Sequence, residues 1–374
     1  MKNLDALKKL NTPAPTGWTP GVQWDGNSGY VTTQPSDDPD EPRDKRWDEV
    51  LQRFGLDPER YLVDGPVRHS AWDVPGHGIQ HSHRAKIVER PERRFDVEDL
   101  LDNIYTDVPT PHPLRGWRTI VISDQHLGKS AEDGGGTETL INRWKFGVDR
   151  ALEDGPFDGI VLMLGGDTIE GYASQNGKGI GSCDLTLTEQ IRVANHLVSD
   201  TIQKCLESAK EVVVAVCPGN HGESTRVASV PMTDSFDIQI VNNVQQAFDL
   251  AGISERVNFY YPAPNTGDVT FTAGDATYCL VHGHKFSSGP VNGAEKWFAG
   301  QITNDRPAAA ADVLVYGHFH TFRAWAYTSR RWIMSAPALE TESRWFANST
   351  GASGNPGILV FDMDGRTPTN ISIV

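Results

Sequence analysis

Cysteine, long apolar runs and net positive charge are all in short supply in this chain. Its 374 residues include four cysteines, at positions 183, 205, 217 and 279, and no two of them form a C-x-x-C pair. That spacing suits neither a disulfide framework nor a thiolate zinc site, so a reduced, cytoplasmic setting is expected. Cys205 and Cys279 fall in apolar runs and are expected as packed core thiols. No stretch approaches the roughly 20 apolar residues needed to cross a bilayer. Met1 to Trp18 carries Lys2, Lys8 and Lys9 with no apolar run behind them, so no secretory signal is expected and no membrane partner. Lys and Arg number 34 against 49 Asp and Glu, a formal net charge of −15. This argues against wrapping nucleic acid on a uniformly basic surface. It leaves nucleic acid open as a substrate, because bound divalent cations reverse the local field. Internal repeats and heptad runs are absent too.

What is present changes character along the chain. Residues 1–45 are rich in Pro, Gly, Asp and Thr, and "SDDPDEPRD" (36–44) reads as solvated chain. Trp18, Val22, Trp24 and Tyr30 are too apolar for a pure linker, so the stretch reads as an extended, partly ordered arm that these side chains pin down. "RWDEVLQRFG" places Trp47, Val50, Leu51 and Phe54 at helical spacing before Gly55. "YLVDGPVRHSAW" and "HSHRAKIVER" read as two or three short strands around Gly/Pro turns. Together they predict a small α+β accessory module over 46–108, followed by a Pro-rich connector over 109–116. From 117 to 374 strands and helices alternate, and the later part is richer in strands. The predicted architecture is α/β: a four-layer αββα sandwich preceded by the small module.

Five short motifs recur in this last region, each just after an apolar, often β-branched run. They are Asp124-Gln125-His126, Gly166-Asp167, Gly219-Asn220-His221, His282-Gly283-His284 and Gly317-His318-Phe319-His320. Residues that follow strands of an open α/β sheet gather at its carboxyl edge, where ligands bind. Asp, Asn and His converging there make an N/O ligand set without thiolate, suited to hard or borderline divalent ions. Asp124, His126, Asp167, Asn220, His282, His318 and His320 would suffice for two ions sharing the Asp167 carboxylate. Two ions roughly 3.5–4 Å apart can clamp a phosphoryl group for in-line attack by water.

The series D-x-H, G-D, G-N-H, H and G-H-x-H resembles the calcineurin-like metallophosphoesterase superfamily over roughly residues 117–374. The resemblance implies that Asp124, His126 and His320 hold one ion and that Asn220, His282 and His318 hold the other, with Asp167 bridging. It makes His221 a catalytic residue over the phosphate rather than a ligand. Mn is the first expectation for both ions, with Fe, Zn, Ni or Mg as alternatives. Two departures from the pattern matter. An acidic residue follows the G-N-H histidine in many members, but Gly222 stands here and Glu223 comes one later. Glu170-Gly171-Tyr172 stands where Ser/Thr protein phosphatases have Asp-Arg-Gly and purple acid phosphatases have a Tyr, which argues against both branches. Glu170 could still orient His221. His284 is not placed by the pattern, and His81, His83 and His112 are expected at the surface.

The resemblance implies a phosphodiesterase. A nucleic-acid nuclease is the first reading, in the manner of the SbcD-like repair nucleases. The leading module, with "GWTPGVQWDG" in its arm, is also similar to phage-encoded phosphoesterases, which would place the protein in a host cytoplasm. Arg84, Lys86, Arg90, Arg93 and Arg94 could track a phosphate backbone, although Glu89 and Glu92 interrupt the series. Gly-rich loops over 129–136 and 174–181 could cover the site. Lys129 and Arg226, with Lys178, Lys285 and Arg323, lie near motifs and could contact substrate phosphates. Cyclic-nucleotide hydrolysis and a non-catalytic scaffold are the other readings, and oligomeric state is not legible.

Overall fold

The computed structural model describes residues 19–25, 28–38, 47–89, 98, 115–130, 135–172, 183–226, 229–341 and 354–374. Two compact units result, Met1–Glu92 and Arg93–Val374. The first contains β1 (Gly21–Trp24), β2 (Ser28–Thr32), α1 (Trp47–Arg53), β3 (Tyr61–Val63), β4 (Arg68–Val74) and β5 (Gly78–Glu89). β5 is the long central strand. One of its edges pairs with β2, and the other is shared by β4 over Gly78–Arg84 and β3 over Ile87–Glu89. Trp47, Val50 and Leu51, on one face of α1, pack with Val31, Ala85 and Ile87 into a small core.

Three expectations change here. The arm over 1–45 is not a separate extended element where it is described: β1 and β2 are hydrogen-bonded into the module's sheet, and Val22 joins its core. The boundary between units falls at 92/93 rather than at 108/109. His83 is buried, with its ring stacked 4.6 Å from His69, because the strand alternation turns it inward. The basic series on β5 is also partly engaged. Arg84 lies over the Tyr30 ring at 4.4 Å and donates to Gln23 at 3.0 Å, and Lys86 pairs with Asp64 at 2.5 Å. Arg90, Arg93, Arg94, His112, Lys178, the connector's 109–114 and the loop over 174–181 lie outside the described residues, as do 131–134 of the first Gly-rich loop.

The second unit runs β6 (Arg115–Ile122), α2 (Gly136–Leu152), β7 (Phe157–Leu164), α3 (Leu187–Ser208), β8 (Ala209–Val216), α4 (Phe236–Ala251) and β9 (Val257–Tyr260). It continues with β10 (Asp268–Ala273), β11 (Ala276–Val281), α5 (Pro290–Thr303), β12 (Val313–Tyr316), β13 (Arg323–Thr328), β14 (Arg331–Ser335), β15 (Leu359–Asp364) and β16 (Thr367–Ile373). Six strands form one sheet in the order β16-β15-β6-β7-β8-β9, and five form the other in the order β10-β11-β12-β14-β13. β6 to β9 are mutually parallel, as are β11, β12 and β14.

The layers follow from side-chain alternation. On β7 and β8, Val161, Met163, Val213 and Ala215 face Val269, Tyr278, Leu280 and Val315 of the other sheet and make a shared core. Their neighbours Ile160, Leu162, Val212 and Val214 face outward into a second core with α2, α3 and α4. The outer face of the second sheet, with Cys279, Leu314 and Ile333, is covered by Ala294 and Phe298 of α5. This is a four-layer αββα sandwich. Burial on both faces is why these strands read as unbroken apolar runs. α5 gives little signal in sequence because Pro290, Gly293 and Gly300 dilute its helical pattern, and it forms by covering the second sheet. Among the described residues, no helix is long and apolar enough to cross a membrane.

Candidate metal centre

Each motif sits at the carboxyl end of a parallel strand. Asp124 and His126 follow β6, Asp167 and Glu170 follow β7, and Asn220 and His221 follow β8. His282 follows β11, and His318 and His320 follow β12. The chain leaves these strands in an unusual way. Asp124, His126, Asp167, His318 and His320 all have φ between 50° and 66°. Left-handed backbone at a non-glycine residue costs roughly 1–3 kcal/mol and persists only where the surroundings impose it. Here it turns both ends of D-x-H and of H-x-H toward one point. Two glycines make the approach possible. A Cβ at Gly219 would lie 2.1 Å from Asp167 Oδ1, and one at Gly317 would lie 2.0 Å from Ser123 Oγ.

Three overlapping sets of ligand atoms result, each within 4.8 Å: Asp124–His126–His320, His126–Asp167–His221 and Asp167–His282–His318. Asn220 Oδ1 lies 3.1 Å from His282 Nε2, so the carboxamide joins the last set. All seven expected ligands are thus brought together, and Asp167 is common to two of the sets.

The hydrogen bonds assign the histidine tautomers. His126 Nδ1 donates to Glu170 Oε2 at 3.1 Å, which leaves Nε2 buried and without a partner. His282 Nδ1 donates to the Gly165 carbonyl at 2.8 Å, freeing Nε2 beside Asp167 Oδ2 at 3.0 Å. His320 Nδ1 meets Glu340 Oε1 at 3.2 Å, and its Nε2 lies 3.3 Å from Asp124 Oδ1. Imidazoles tied back through Nδ1 with Nε2 converging on carboxylates are an arrangement for divalent ions. The orphaned His126 Nε2 and the all-N/O donor set fit such ions.

Charge follows geometry. Burial disfavours the carboxylates, yet the neighbouring histidines overcome it and hold Asp124, Asp167 and Glu170 well below the usual carboxylate range. Burial likewise opposes protonation of His282 and His320, but Asp167 and Asp124 raise them to about 9 and about 10. His318, half-buried and beside His282, is lowered to about 4 by burial and the His282 charge. The two raised imidazoles carry protons at neutral pH in the chelated protein and must lose them to ligate. Loading both ions at pH 7.5 should therefore release roughly two protons. Affinity should climb with pH up to about 9 and level off above about 10. Calorimetry in two buffers of different ionisation enthalpy reads the proton count directly, and zero release would contradict this protonation pattern.

His221 is placed differently from the ligands. Its Nδ1 faces the Glu170 carbonyl at 3.1 Å and Glu170 Oε2 at 3.2 Å, and its side chain is 21 % exposed. Burial alone would lower it, but Asp167 and Glu170 raise it to about 9. Glu170 thus touches both His126 and His221.

Two acids missed in the sequence complete the site. Asp237, in the first turn of α4, accepts from the backbone N–H groups of Thr168 and Gly219, both at 2.9 Å, and so clamps two motif loops together. A Cβ at Gly222 would lie 2.4 Å from Asp237 Oδ2, so the space after the G-N-H histidine is taken by a carboxylate arriving from the helix. Glu340, after β14, is 2 % exposed and ties His320 to Lys129, whose Nζ lies 2.6 Å from Glu340 Oε2. Burial opposes its ionisation, but His126, His320 and Lys129 bring it down to about 2. The only sequence signal for either acid was its place just after an apolar run or at a helix start.

Lys129, expected as a substrate contact, is paired with Glu340. Arg226 donates to Glu223 at 2.7 Å and to the Asn220 carbonyl, and it still lines a cavity of about 560 Å³ beside Asn220 and His318. Loss of such an outer carboxylate weakens metal binding by about 10–100-fold. Glu340→Gln should show this for one ion of the pair, read as metal content after dialysis at stepped metal concentrations. Unchanged retention of both ions would make Glu340 a purely structural acid.

The sequence matches no protein-family model and no curated protein. Among solved structures, it is similar to Vps29 from Chaetomium thermophilum at 11% identity and a TM-score of 0.33, over 67% of this chain and 86% of that one. It is also similar to purple acid phosphatase PPD1 from yellow lupin at 11% identity and a TM-score of 0.33, covering 91% of this chain and 68% of that one. For sulfate thiohydrolase SoxB from Thermus thermophilus the figures are 11% and 0.25, over 72% and 57%. Likenesses of this size carry no function across. The sandwich topology and the ligand geometry stand on this chain's own residues.

Proposed function

We propose that this protein is a dinuclear-metal phosphodiesterase that hydrolyses nucleic acid. The observation that carries the reading is the meeting of seven N/O ligand residues, Asp167 among them, with one further imidazole, His221, held beside them by Glu170. A bound pair of divalent ions supplies Lewis-acid polarisation of a phosphoryl oxygen and a water-derived nucleophile at neutral pH. Mn is the first candidate for both ions.

This chain's residues then divide the work. With Nδ1 donating to Glu170, His221 keeps Nε2 for another partner. Asp167 and Glu170 favour its protonated form, in which the ring can donate to the oxygen leaving phosphorus. Glu170 fixes the ring and supports its charge. The His221 backbone N–H donates to Asp167 Oδ1 at 2.7 Å, which locks the imidazole's loop to the shared carboxylate. Asn220 and His318 form one wall of the adjoining cavity, so a diester bound there would have a phosphate oxygen against the ligands.

The test is hydrolysis by Mn-loaded protein of bis-p-nitrophenyl phosphate, cyclic nucleotides, single- and double-stranded DNA, and RNA, with His221→Ala as contamination control. Preference for polymers supports the nuclease reading. Preference for cyclic nucleotides replaces it with the small-diester reading. Bound metals without turnover on any substrate leave a metal-binding scaffold.

A further inference from the structure

Two cavities lead away from the ion cluster on the Asn220–His318 side. The nearer, about 560 Å³, includes both of those ligands together with Arg226. The farther, about 220 Å³, is walled by Phe286 and Trp297, whose ring centroids are 5.7 Å apart, and rimmed by the polar side chains of Asn265, Thr266 and Gln301. Met232, His284 and Lys285 line both cavities, so the two form one groove with a waist at His284–Lys285.

The waist has ligand-binding groups to spare. Lys285 is exposed, and no carboxylate pairs with it among the described residues. His284 has a buried Nδ1 with no hydrogen-bond partner. The far recess is smaller than the roughly 300–1,000 Å³ of a whole drug-sized site, but it suits a single heterocycle. Aromatic faces with a polar rim accept nucleobases by stacking, with little dependence on sequence.

Resting on the phosphodiesterase reading above, we propose that this groove is a nucleotide subsite. The phosphate lies in the near cavity, with a non-bridging oxygen paired to Lys285. The sugar passes the waist, and the base seats against Trp297 in the far recess. The order of features from the ions outward, ligands then cation then aromatic recess, matches the order of phosphate, sugar and base. The substrate class that follows is a diester carrying a nucleoside beside the scissile phosphate, rather than a simple alkyl or aryl phosphate.

The experiment compares kcat/KM of the Mn-loaded protein on thymidine 5′-(p-nitrophenyl phosphate) and on methyl p-nitrophenyl phosphate, which share a leaving group. The wild type should favour the nucleoside ester by about tenfold or more; Trp297→Ala should lower that ratio about tenfold, and Trp297→Phe should restore most of it. A wild type that does not distinguish the esters overturns the subsite, as does a Trp297→Ala protein that loses both equally. If neither ester is cleaved with two ions bound, the phosphodiesterase reading fails, and the subsite is judged by calorimetric titration of thymidine 5′-monophosphate. Binding that weakens about tenfold in Trp297→Ala, or in Lys285→Ala should the tryptophan variant not fold, supports it. Equal affinities, or no binding by the wild type, overturn it.

Discussion

Replacing His221 by alanine is expected to leave both ions bound and to lower kcat by about 10²–10⁴-fold, the usual worth of a positioned acid or charge stabiliser. The reason is which atom is occupied. His126, His282 and His320 each spend Nδ1 on a carboxylate or carbonyl and turn Nε2 into the cluster. His221 also spends Nδ1, on Glu170, and its side chain is 21 % exposed, against 16 % for His320, 2 % for His126 and 0 % for His282. With Nδ1 held by Glu170, Nε2 is the ring nitrogen this reading gives to substrate. Because its ligand atom also lies within 4.8 Å of those of His126 and Asp167, metal content must be read with the rate. Two ions per chain with a collapsed kcat is the expected result, and loss of an ion would make His221 a ligand.

Asp167→Ala should abolish activity by removing the metal itself. Asp167 is the one carboxylate common to the His126–His221 and His282–His318 sets, so its loss takes a ligand from both sides at once. It also removes the acceptor for the His221 N–H and the partner of His282 Nε2. Anything that binds only the folded state raises the melting temperature by mass action. Wild type and His221→Ala should therefore gain thermal stability on adding Mn, while Asp167→Ala should not. A preserved metal-dependent rise in Asp167→Ala would show that the ions are held without a shared carboxylate.

Much of the second unit was legible before folding. The runs "GIVLML" and "EVVVAV" are buried on both faces, and fully buried parallel strands read as continuous apolar segments. The convergence of the seven candidate ligands was legible because each follows such a run, and strand ends of a parallel sheet share one edge. Asp237 and Glu340 were not, because nothing local distinguishes an acid that clamps a loop from one that faces water. Their roles arise from elements that approach only in three dimensions: α4 against the β7 and β8 loops, and the segment after β14 against His320. The Lys129–Glu340 pair was not legible for the same reason, since proximity in sequence to Asp124-Gln125-His126 says nothing about the carboxylate that reaches Lys129 from position 340.

The amino-acid sequence by itself determined the layered α/β core, the strand-end position of the ligands and their N/O character, because hydrophobic periodicity and donor chemistry are local properties. Only the tertiary structure decided the distances around Asp167, the tautomers of His126, His282 and His320, the buried Glu340–Lys129 pair and the cavities beside Lys285 and Trp297. Each of those depends on distances between side chains far apart in the chain, set by how two sheets close face to face over a common core.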